Sequence, residues 1–238
     1  MTQIVGVRAA GSLPRDPSIA APGVGRRLRL AVEIVLIFIG APILITVAIY
    51  ALRLPLLFVL PPLLAAFVAY LLWDRTFLLK RELSRGVSLA ALAGIVLTFL
   101  VLGAAIAYGA KETHPASFLS FPRRVPDLWL TIMAVYPLLS VLPQEVVYRT
   151  FFFHRYGPLF GRRRWTAIIV NAALFGFGHI IFGNWIAVAG TFLAGLLFAY
   201  RYDSTRSLWA VWIEHSLYGC LVFTVGLGRY FFTGISTL

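Results

Sequence analysis

Long uninterrupted runs of apolar residues decide what this chain can fold into. Of its 238 residues, 60% are hydrophobic and only 13% are charged, a composition that ordinary soluble domains do not have. A helix needs about 20 apolar residues to cross about 30 Å of hydrocarbon, and the sequence contains several runs of that length. Each run is continuously apolar, without the alternation of a barrel strand. The sequence therefore predicts an all-α, polytopic membrane helix bundle.

We predict about seven transmembrane helices in one bundle. A tail of residues 1–29, basic and rich in Gly and Pro, is expected to be disordered, and residues 30–238 are expected to form the bundle. The second helix is expected to be kinked or partly re-entrant, because its sequence contains three prolines. The predicted spans are about 30–50, 54–73, 87–109, 127–153, 165–183, 184–200 and 207–226.

The distribution of basic residues predicts the orientation of the bundle. Most of the 21 Lys and Arg residues fall in the tail and in alternate connections, and short cytoplasmic loops are enriched in these residues. We therefore expect an integral protein of the bacterial plasma membrane with its N-terminus in the cytoplasm. The net charge of +12 is spread over segments that flank the lipid bilayer, where anionic headgroups attract it. The sequence contains no nucleic-acid-binding module, so no nucleic-acid partner is expected.

Ionisable residues inside the predicted spans are few, and at membrane depth such residues indicate function because their burial is costly. Glu145 and Arg149 lie on the fourth predicted helix, His179 on the fifth and His215 on the seventh. At a rise of about 1.5 Å per residue, Glu145, His179 and His215 lie at overlapping depths. The sequence therefore predicts that one carboxylate and two imidazoles converge in a cavity within the membrane.

Local spacing supports a functional role for these residues. Glu145 and Arg149 are four residues apart on one helical face, where the cation can orient the carboxylate. Phe175 lies one turn before His179, so its ring is expected to pack beside the imidazole. Pro143 favours a kink just before Glu145, which would open room for water or a polypeptide.

Two further glutamates lie outside this cluster. Glu33 is near the cytoplasmic end of the first predicted span, where it can pair with nearby arginines or extend to the headgroups. Glu214 points about 100° away from His215 around the helix. It is therefore expected either to support that histidine or to tie two helices together.

The polar segments resemble the motifs of the CAAX protease and bacteriocin-processing (CPBP) family of intramembrane proteases. In that family the motifs are Glu-Glu-x-x-x-Arg, Phe-x-x-x-His and a third motif that begins with His, each on a separate transmembrane helix. The resemblance covers about 127–226, which is expected to be the CPBP-like core. The corresponding segments here are Gln144-Glu145-x-x-x-Arg149, Phe175-x-x-x-His179 and His215-x-x-x-Gly219.

Two positions depart from the family pattern. The first glutamate, which the resemblance implies to be the base that activates water, is replaced by Gln144, and a glutamine cannot accept a proton. The residue four positions after the third-motif histidine is often an Asn that helps to hold the oxyanion, and here it is Gly219. Either Glu145 takes over as the base or catalysis has been lost.

The resemblance implies an endopeptidase that uses an activated water to hydrolyse a peptide bond of a membrane-anchored protein or peptide. Glu145 and His179 are expected to deprotonate and aim the water, and His215 to stabilise the tetrahedral oxyanion. Gln144 would act as a neutral hydrogen-bond donor and Tyr148 would position the substrate.

Alternatives stay open at this point. We expect no cofactor, but Glu145, His179 and His215 are also a legitimate ligand set for zinc, although the His-Glu-x-x-His signature is absent. The loss of the first glutamate favours a catalytically silent relative that binds a peptide or bacteriocin and confers immunity. A solute transporter is disfavoured because no internal repeat is found. A buried Glu-Arg pair can also serve helix packing alone.

Overall fold

A computed structural model of the protein describes residues 23–54, 56–74, 77 and 79–231. Within these residues the chain is helical and contains no β-strand, which confirms the all-α prediction. Most of the predicted tail lies outside the described residues, and the first helix begins at Val24.

We number the helices in chain order. Short 3₁₀ turns follow the seventh helix at His179–Phe182 and the ninth at Gly228–Phe231. The helices are α1 (Val24–Tyr50), α2 (Leu56–Trp73), α3 (Leu79–Ser84), α4 (Leu89–Thr113), α5 (Ser120–Arg124), α6 (Pro126–Phe160), α7 (Arg164–Gly178), α8 (Trp185–Thr205) and α9 (Leu208–Thr224).

Five helices in the described residues are long and apolar enough to cross a membrane, namely α1, α4, α6, α7 with its 3₁₀ turn, and α8. This finding confirms a polytopic membrane helix bundle. The predicted spans 54–73 and 207–226 correspond to α2 and α9, so the count of seven stays a prediction, as does the side on which the N-terminus lies.

Helix α6 is wound irregularly around its motif residues. Two stretches of π-helix, Pro137–Val141 and Val146–Phe151, flank the single α-helical turn Leu142–Glu145. Pro137 and Pro143 each lack the backbone N–H that a regular helix needs, and wider π turns accommodate such interruptions, frequently at functional sites. At the kink that was expected near Pro143, the structure has π-helical winding before and after the turn that contains Glu145.

Helices α7 and α8 pack closely because small residues line their contact. A Cβ atom on Gly176 would lie 2.9 Å from the Val188 carbonyl oxygen, and one on Gly195 would lie 3.1 Å from Cα of Ala172. The distance at Gly176 is too short for a real side chain, so this position requires glycine, and the distance at Gly195 would force its neighbours apart by a few tenths of an ångström. Close backbone approach of this kind is a common basis of helix association in lipid.

The turn between α7 and α8 lies at Gly183 and Asn184, where the predicted spans 165–183 and 184–200 meet. Gly183 has a φ of 67°, a left-handed conformation that glycine adopts without a steric penalty. Asn184 then caps α8, because its side chain accepts a hydrogen bond of 2.8 Å from the Ala187 backbone N–H. The Asn184 amide also donates to the carbonyl oxygen of Tyr230. This contact anchors the C-terminal 3₁₀ turn next to the hairpin.

Aromatic residues join α1 to α6. Phe38, in the middle of the π-helical stretch Leu36–Gly40 of α1, contacts Tyr148, Phe152 and Tyr156 of α6. All three contacts are edge-on, with ring centroids 5.3–6.0 Å apart, the geometry that aromatic quadrupoles prefer. Helix α1 is thereby held against the segment that carries the Glu-Arg motif.

Two ion pairs connect helices that are distant in sequence. Arg155 of α6 donates from Nε and Nη2 to both oxygens of Glu33 at 2.9–3.1 Å. Arg201 of α8 donates to both oxygens of Glu214 of α9 at 2.8 and 2.9 Å, and Thr98 of α4 adds a hydrogen bond of 2.9 Å. Glu214 is therefore an interhelical tie, which decides between the two roles considered for it.

Candidate active site

Glu145 lies at the centre of the polar residues inside the bundle, and its side chain is completely buried. Its Oε1 atom is 2.7 Å from Nδ1 of His215, and its Oε2 atom is 3.3 Å from Nε of Arg149. A carboxylate can only accept, so Nδ1 of His215 carries the proton and donates it to this hydrogen bond. One carboxylate thus binds a histidine of α9 and an arginine on its own helix.

Arg149 is also completely buried, and it connects the site to α7. Its Nη1 atom donates to the side-chain oxygen of Asn171, whose amide donates to the Tyr148 carbonyl oxygen at 2.5 Å. The guanidinium carbon lies 4.7 Å from the ring centroid of Phe175, within the range of a cation–π contact. Sequence reasoning missed Asn171, although a lone amide in an apolar span was a signal for it.

His179 lies at the point where α7 ends. Its Nδ1 atom is 2.7 Å from the carbonyl oxygen of Phe175, one of the last carbonyls of the helix, which have no partner within it. A carbonyl can only accept, so Nδ1 carries the proton, and Nε2 of the neutral ring keeps a lone pair. The end of the helix therefore fixes which nitrogen of His179 can accept a proton.

The two histidines contact one aromatic ring. Phe175 lies 4.7 Å from the ring of His179 and 5.6 Å from the ring of His215, measured between centroids. His215 also stacks on Phe198 at 4.6 Å with an interplanar angle of 23°, and only 6% of its surface is exposed. Phe175 thus separates and orients the two imidazoles, besides covering the guanidinium of Arg149.

Gln144 occupies the position of the first glutamate in the family motif. Its amide nitrogen donates to the carbonyl and hydroxyl oxygens of Ser140, both at 3.0 Å. Its carbonyl oxygen Oε1 is buried and accepts no hydrogen bond from any residue that the structure describes, and the same holds for Oε2 of Glu145. These two acceptor atoms on neighbouring residues accept no hydrogen bond from a described residue, although buried polar atoms are normally hydrogen-bonded, and Oε2 of Glu145 has only its ion pair with Arg149.

The remaining predicted residues, Tyr148 and Gly219, lie at the edges of this cluster. The hydroxyl of Tyr148 rests on Gly178, the residue before His179, and its ring meets Phe175 edge-on at 5.1 Å. Gly219 is covered by a tyrosine ring of α6. Tyr148 is therefore close to His179, on the side of the cluster that α7 forms.

The side chains do not form a zinc site in this arrangement. Among the described residues, no three His, Cys, Asp or Glu side chains form a group that could hold a metal ion. Of the suggested ligands, Glu145 and His215 are hydrogen-bonded to each other and His179 is bonded to a backbone carbonyl through Nδ1. We therefore derive no step that depends on a metal.

Comparison with known proteins relates the segment that carries these residues to a protease family. Residues 126–221 match the family model described as type II CAAX prenyl endopeptidase Rce1-like. No curated protein and no solved structure matches the chain. The matched segment runs from the start of α6 into α9 and contains all three motifs. With its five membrane-spanning candidates, the protein is an integral membrane protein, and its residues 126–221 are similar to the Rce1-like type II CAAX prenyl endopeptidases of the CPBP family.

Proposed function

We propose that this protein is an intramembrane endopeptidase that hydrolyses a peptide bond of a membrane-anchored protein or peptide with an activated water. The observation that carries this proposal is the different hydrogen bonding of its two site histidines. His179 donates from Nδ1 to a backbone carbonyl, whereas His215 donates from Nδ1 to the buried carboxylate of Glu145. One ring is thus set up to accept a proton and the other to carry positive charge.

His179 is proposed to be the general base. Its Nε2 atom has a lone pair in the tautomer that the Phe175 carbonyl selects. Proton transfer by a positioned side chain typically accelerates a reaction about 10²–10⁴-fold. This assigns the proton transfer to His179 alone, whereas the sequence suggested that Glu145 shares it.

His215 is proposed to bind the oxyanion, with Glu145 as a positioning residue. A carboxylate hydrogen-bonded to Nδ1 fixes the orientation of an imidazole and stabilises its charged form. In the proposed reaction the ring holds a proton on each nitrogen throughout, and it donates from Nε2 to the oxygen on which negative charge develops. Loss of one such donor costs about 3–4 kcal/mol of transition-state stabilisation in other enzymes. Arg149 in turn holds the carboxylate from its other side at 3.3 Å.

The proposed reaction balances without a further reactant. The water oxygen forms a bond to the carbonyl carbon while His179 accepts a water proton, and His215 donates a hydrogen bond to the resulting oxyanion. The carbon–nitrogen bond then breaks, as His179 returns the proton to the leaving nitrogen. The products are a carboxyl group and an amine, and both histidines regain their starting states.

The test is a cleavage assay on the purified protein in nanodiscs, using a pooled library of membrane-anchored peptides read by mass spectrometry. Glu145→Gln keeps the size of the side chain and removes its charge, so kcat should fall by about two orders of magnitude while KM stays unchanged. A merely structural role for Glu145 would instead lower the amount of folded protein. If the wild-type protein leaves every peptide in the library intact, the proposal is wrong.

A chelator should leave the rate of cleavage unchanged, because the proposed steps use only side chains of the chain. The assay is repeated after dialysis against the chelator and again after zinc is added back. Loss of activity that zinc restores would contradict the proposed division of roles between His179 and His215 and would return zinc to the mechanism.

Gln144→Glu is expected to raise kcat/KM. The substitution replaces the amide of Gln144, whose Oε1 atom accepts no hydrogen bond from any described residue, with a second carboxylate next to Glu145 in the chain. A carboxylate at this position can accept a proton, whereas an amide cannot. Gln144→Met is the matched control, since it has a similar length and no acceptor oxygen, and its kcat/KM should not rise. A lower rate for Gln144→Glu than for Gln144→Met would contradict the expectation.

A catalytically silent peptide-binding protein is the second candidate. Gln144 in place of an acid favours it, and so does the burial of Glu145 between two internal partners. Under this alternative, the wild-type protein retains one peptide of the library without forming any cleaved product. Glu145→Gln should then leave that retention unchanged.

A further inference from the structure

Tyr136 of α6 extends to α9 and rests directly on Gly219. A Cβ atom at position 219 would lie 2.5 Å from the Tyr136 hydroxyl oxygen and 2.7 Å from the ring carbon that bears it. Both distances are below any ordinary contact, so the phenol occupies the volume that a side chain at position 219 would fill. Phe223, one turn further along α9, meets the Tyr136 ring edge-on at 5.2 Å and holds its position.

The Tyr136 hydroxyl is available to a ligand. It forms no hydrogen bond with any residue that the structure describes, and the ring that carries it rests on Gly219 and meets Phe223 edge-on. The side chain is half-buried, and Phe223 and Gly219 cover part of its ring. A phenol in such surroundings usually finds a hydrogen-bond partner, and none is provided by the described chain.

The position of this hydroxyl is next to the proposed active site. Gly219 lies one helical turn after His215 and on the same face of α9, a rise of about 6 Å. The phenol therefore borders the cluster of Glu145 and His215 on the side that α9 forms.

We propose that the Tyr136 hydroxyl donates a hydrogen bond to an anionic oxygen bound beside Nε2 of His215. Under the proposed function this oxygen is the oxyanion of the attacked peptide. Only this identity of the oxygen rests on the proposed function. A neutral phenol suits this task, because it donates a hydrogen bond without placing another charge beside Arg149. Gly219 is required because any side chain there displaces the ring.

The experiment compares two lipopeptides that differ in one group. The first is palmitoylated tetra-alanine whose central peptide bond is replaced by a phosphinate, which is tetrahedral and anionic. The second is the same lipopeptide with the amide intact. Dissociation constants are measured in nanodiscs for the wild-type protein, Tyr136→Phe and Tyr108→Phe. The last is the matched control, because Tyr108 is 68% exposed on α4.

Tyr136→Phe removes only the hydroxyl and keeps the ring on Gly219, so the fold should be preserved. Binding of the phosphinate should weaken about 10- to 100-fold, the range for a hydrogen bond to a charged group, while binding of the amide stays unchanged. Tyr108→Phe should bind both lipopeptides as the wild-type protein does. In the cleavage assay, kcat of Tyr136→Phe should fall with KM unchanged.

Gly219→Ala provides a second variant that acts through the same ring. The added methyl group pushes the phenol away from α9, so the affinity for the phosphinate should fall as it does in Tyr136→Phe. In the double variant of Gly219→Ala and Tyr136→Phe, the alanine should weaken phosphinate binding little further, because the hydroxyl is already absent.

Two results would overturn the proposal. One is a wild-type protein that does not prefer the phosphinate to the amide, and the other is an equal affinity of Tyr136→Phe and wild type for the phosphinate. These outcomes are separate from the fate of the proposed function. If no peptide is cleaved but Tyr136→Phe still weakens phosphinate binding, the endopeptidase proposal fails and the assignment of Tyr136 as an anion donor stands.

Discussion

His179→Ala is expected to lower kcat for peptide cleavage by about 10²–10⁴-fold, with little change in KM. The imidazole is the group proposed to take the proton from water, and alanine has no atom that can replace it. The proposal gives His179 no part in substrate binding, so KM should be preserved. Single-turnover cleavage in nanodiscs measures the chemical step directly.

The matched control for this prediction is His114→Ala. His114 follows α4 and is hydrogen-bonded to the Tyr230 hydroxyl at 2.9 Å, outside the site, so its loss should leave kcat unchanged. His179→Gln is a further useful variant, because its amide can keep the hydrogen bond to the Phe175 carbonyl but cannot act as a base. Wild-type turnover by either His179 variant would contradict the assignment of this residue as the base.

Arg201→Met is expected to lower the free energy of unfolding by about 3–5 kcal/mol. Arg201 donates two hydrogen bonds to Glu214, whose side chain is completely buried. Methionine keeps much of the volume and removes the charge, so the carboxylate is left in an apolar interior with only the Thr98 hydroxyl as a donor. Unfolding by denaturant in mixed micelles measures the loss.

The double variant with Glu214→Leu separates charge from packing. Removing both partners leaves no uncompensated charge, so this variant should be more stable than Arg201→Met alone. Arg29→Met is the control for an exposed pair. Arg29 lies 3.6 Å from Glu33 with 65% of its side chain exposed, so its loss should cost at most about 1 kcal/mol. If Arg29→Met and Arg201→Met lower the free energy of unfolding equally, the buried pair of Arg201 and Glu214 contributes no more to stability than an exposed pair.

The effect of Arg201→Met on cleavage indicates how rigidly α9 must be held. Glu214 precedes His215 in the chain, and its tie to α4 and α8 fixes the helix segment that carries the histidine. Helix α4 lies outside the segment that matches the family model. This helix nevertheless supports the segment of α9 that carries His215. Thr98 donates to Glu214, and Gly94 fits closely against Arg201, because a Cβ atom on Gly94 would lie 2.8 Å from Nη1.

The sequence predicted the properties of this protein that depend on composition and local spacing. Apolar runs of sufficient length determined a polytopic helix bundle, because in hydrocarbon every backbone group must be satisfied within the helix itself. The predicted spans 165–183 and 184–200 meet at Gly183 and Asn184, where the structure has the turn between α7 and α8, with Gly183 in a left-handed conformation and Asn184 as the cap. The three motifs identified the family, which the match at residues 126–221 confirms.

Only the tertiary structure decided which polar groups bind one another. The π-helical stretches of α6 change its rotational register, so the faces that carry Tyr136 and Glu145 do not follow from a period of 3.6 residues. Asn171 and Thr98 acquire their roles from helices that are distant in sequence. Spacing along the chain determines which residues share a helical face, whereas the pairing of faces depends on packing between helices. The ring of Tyr136 on Gly219 is for this reason a contact that the sequence alone did not reveal.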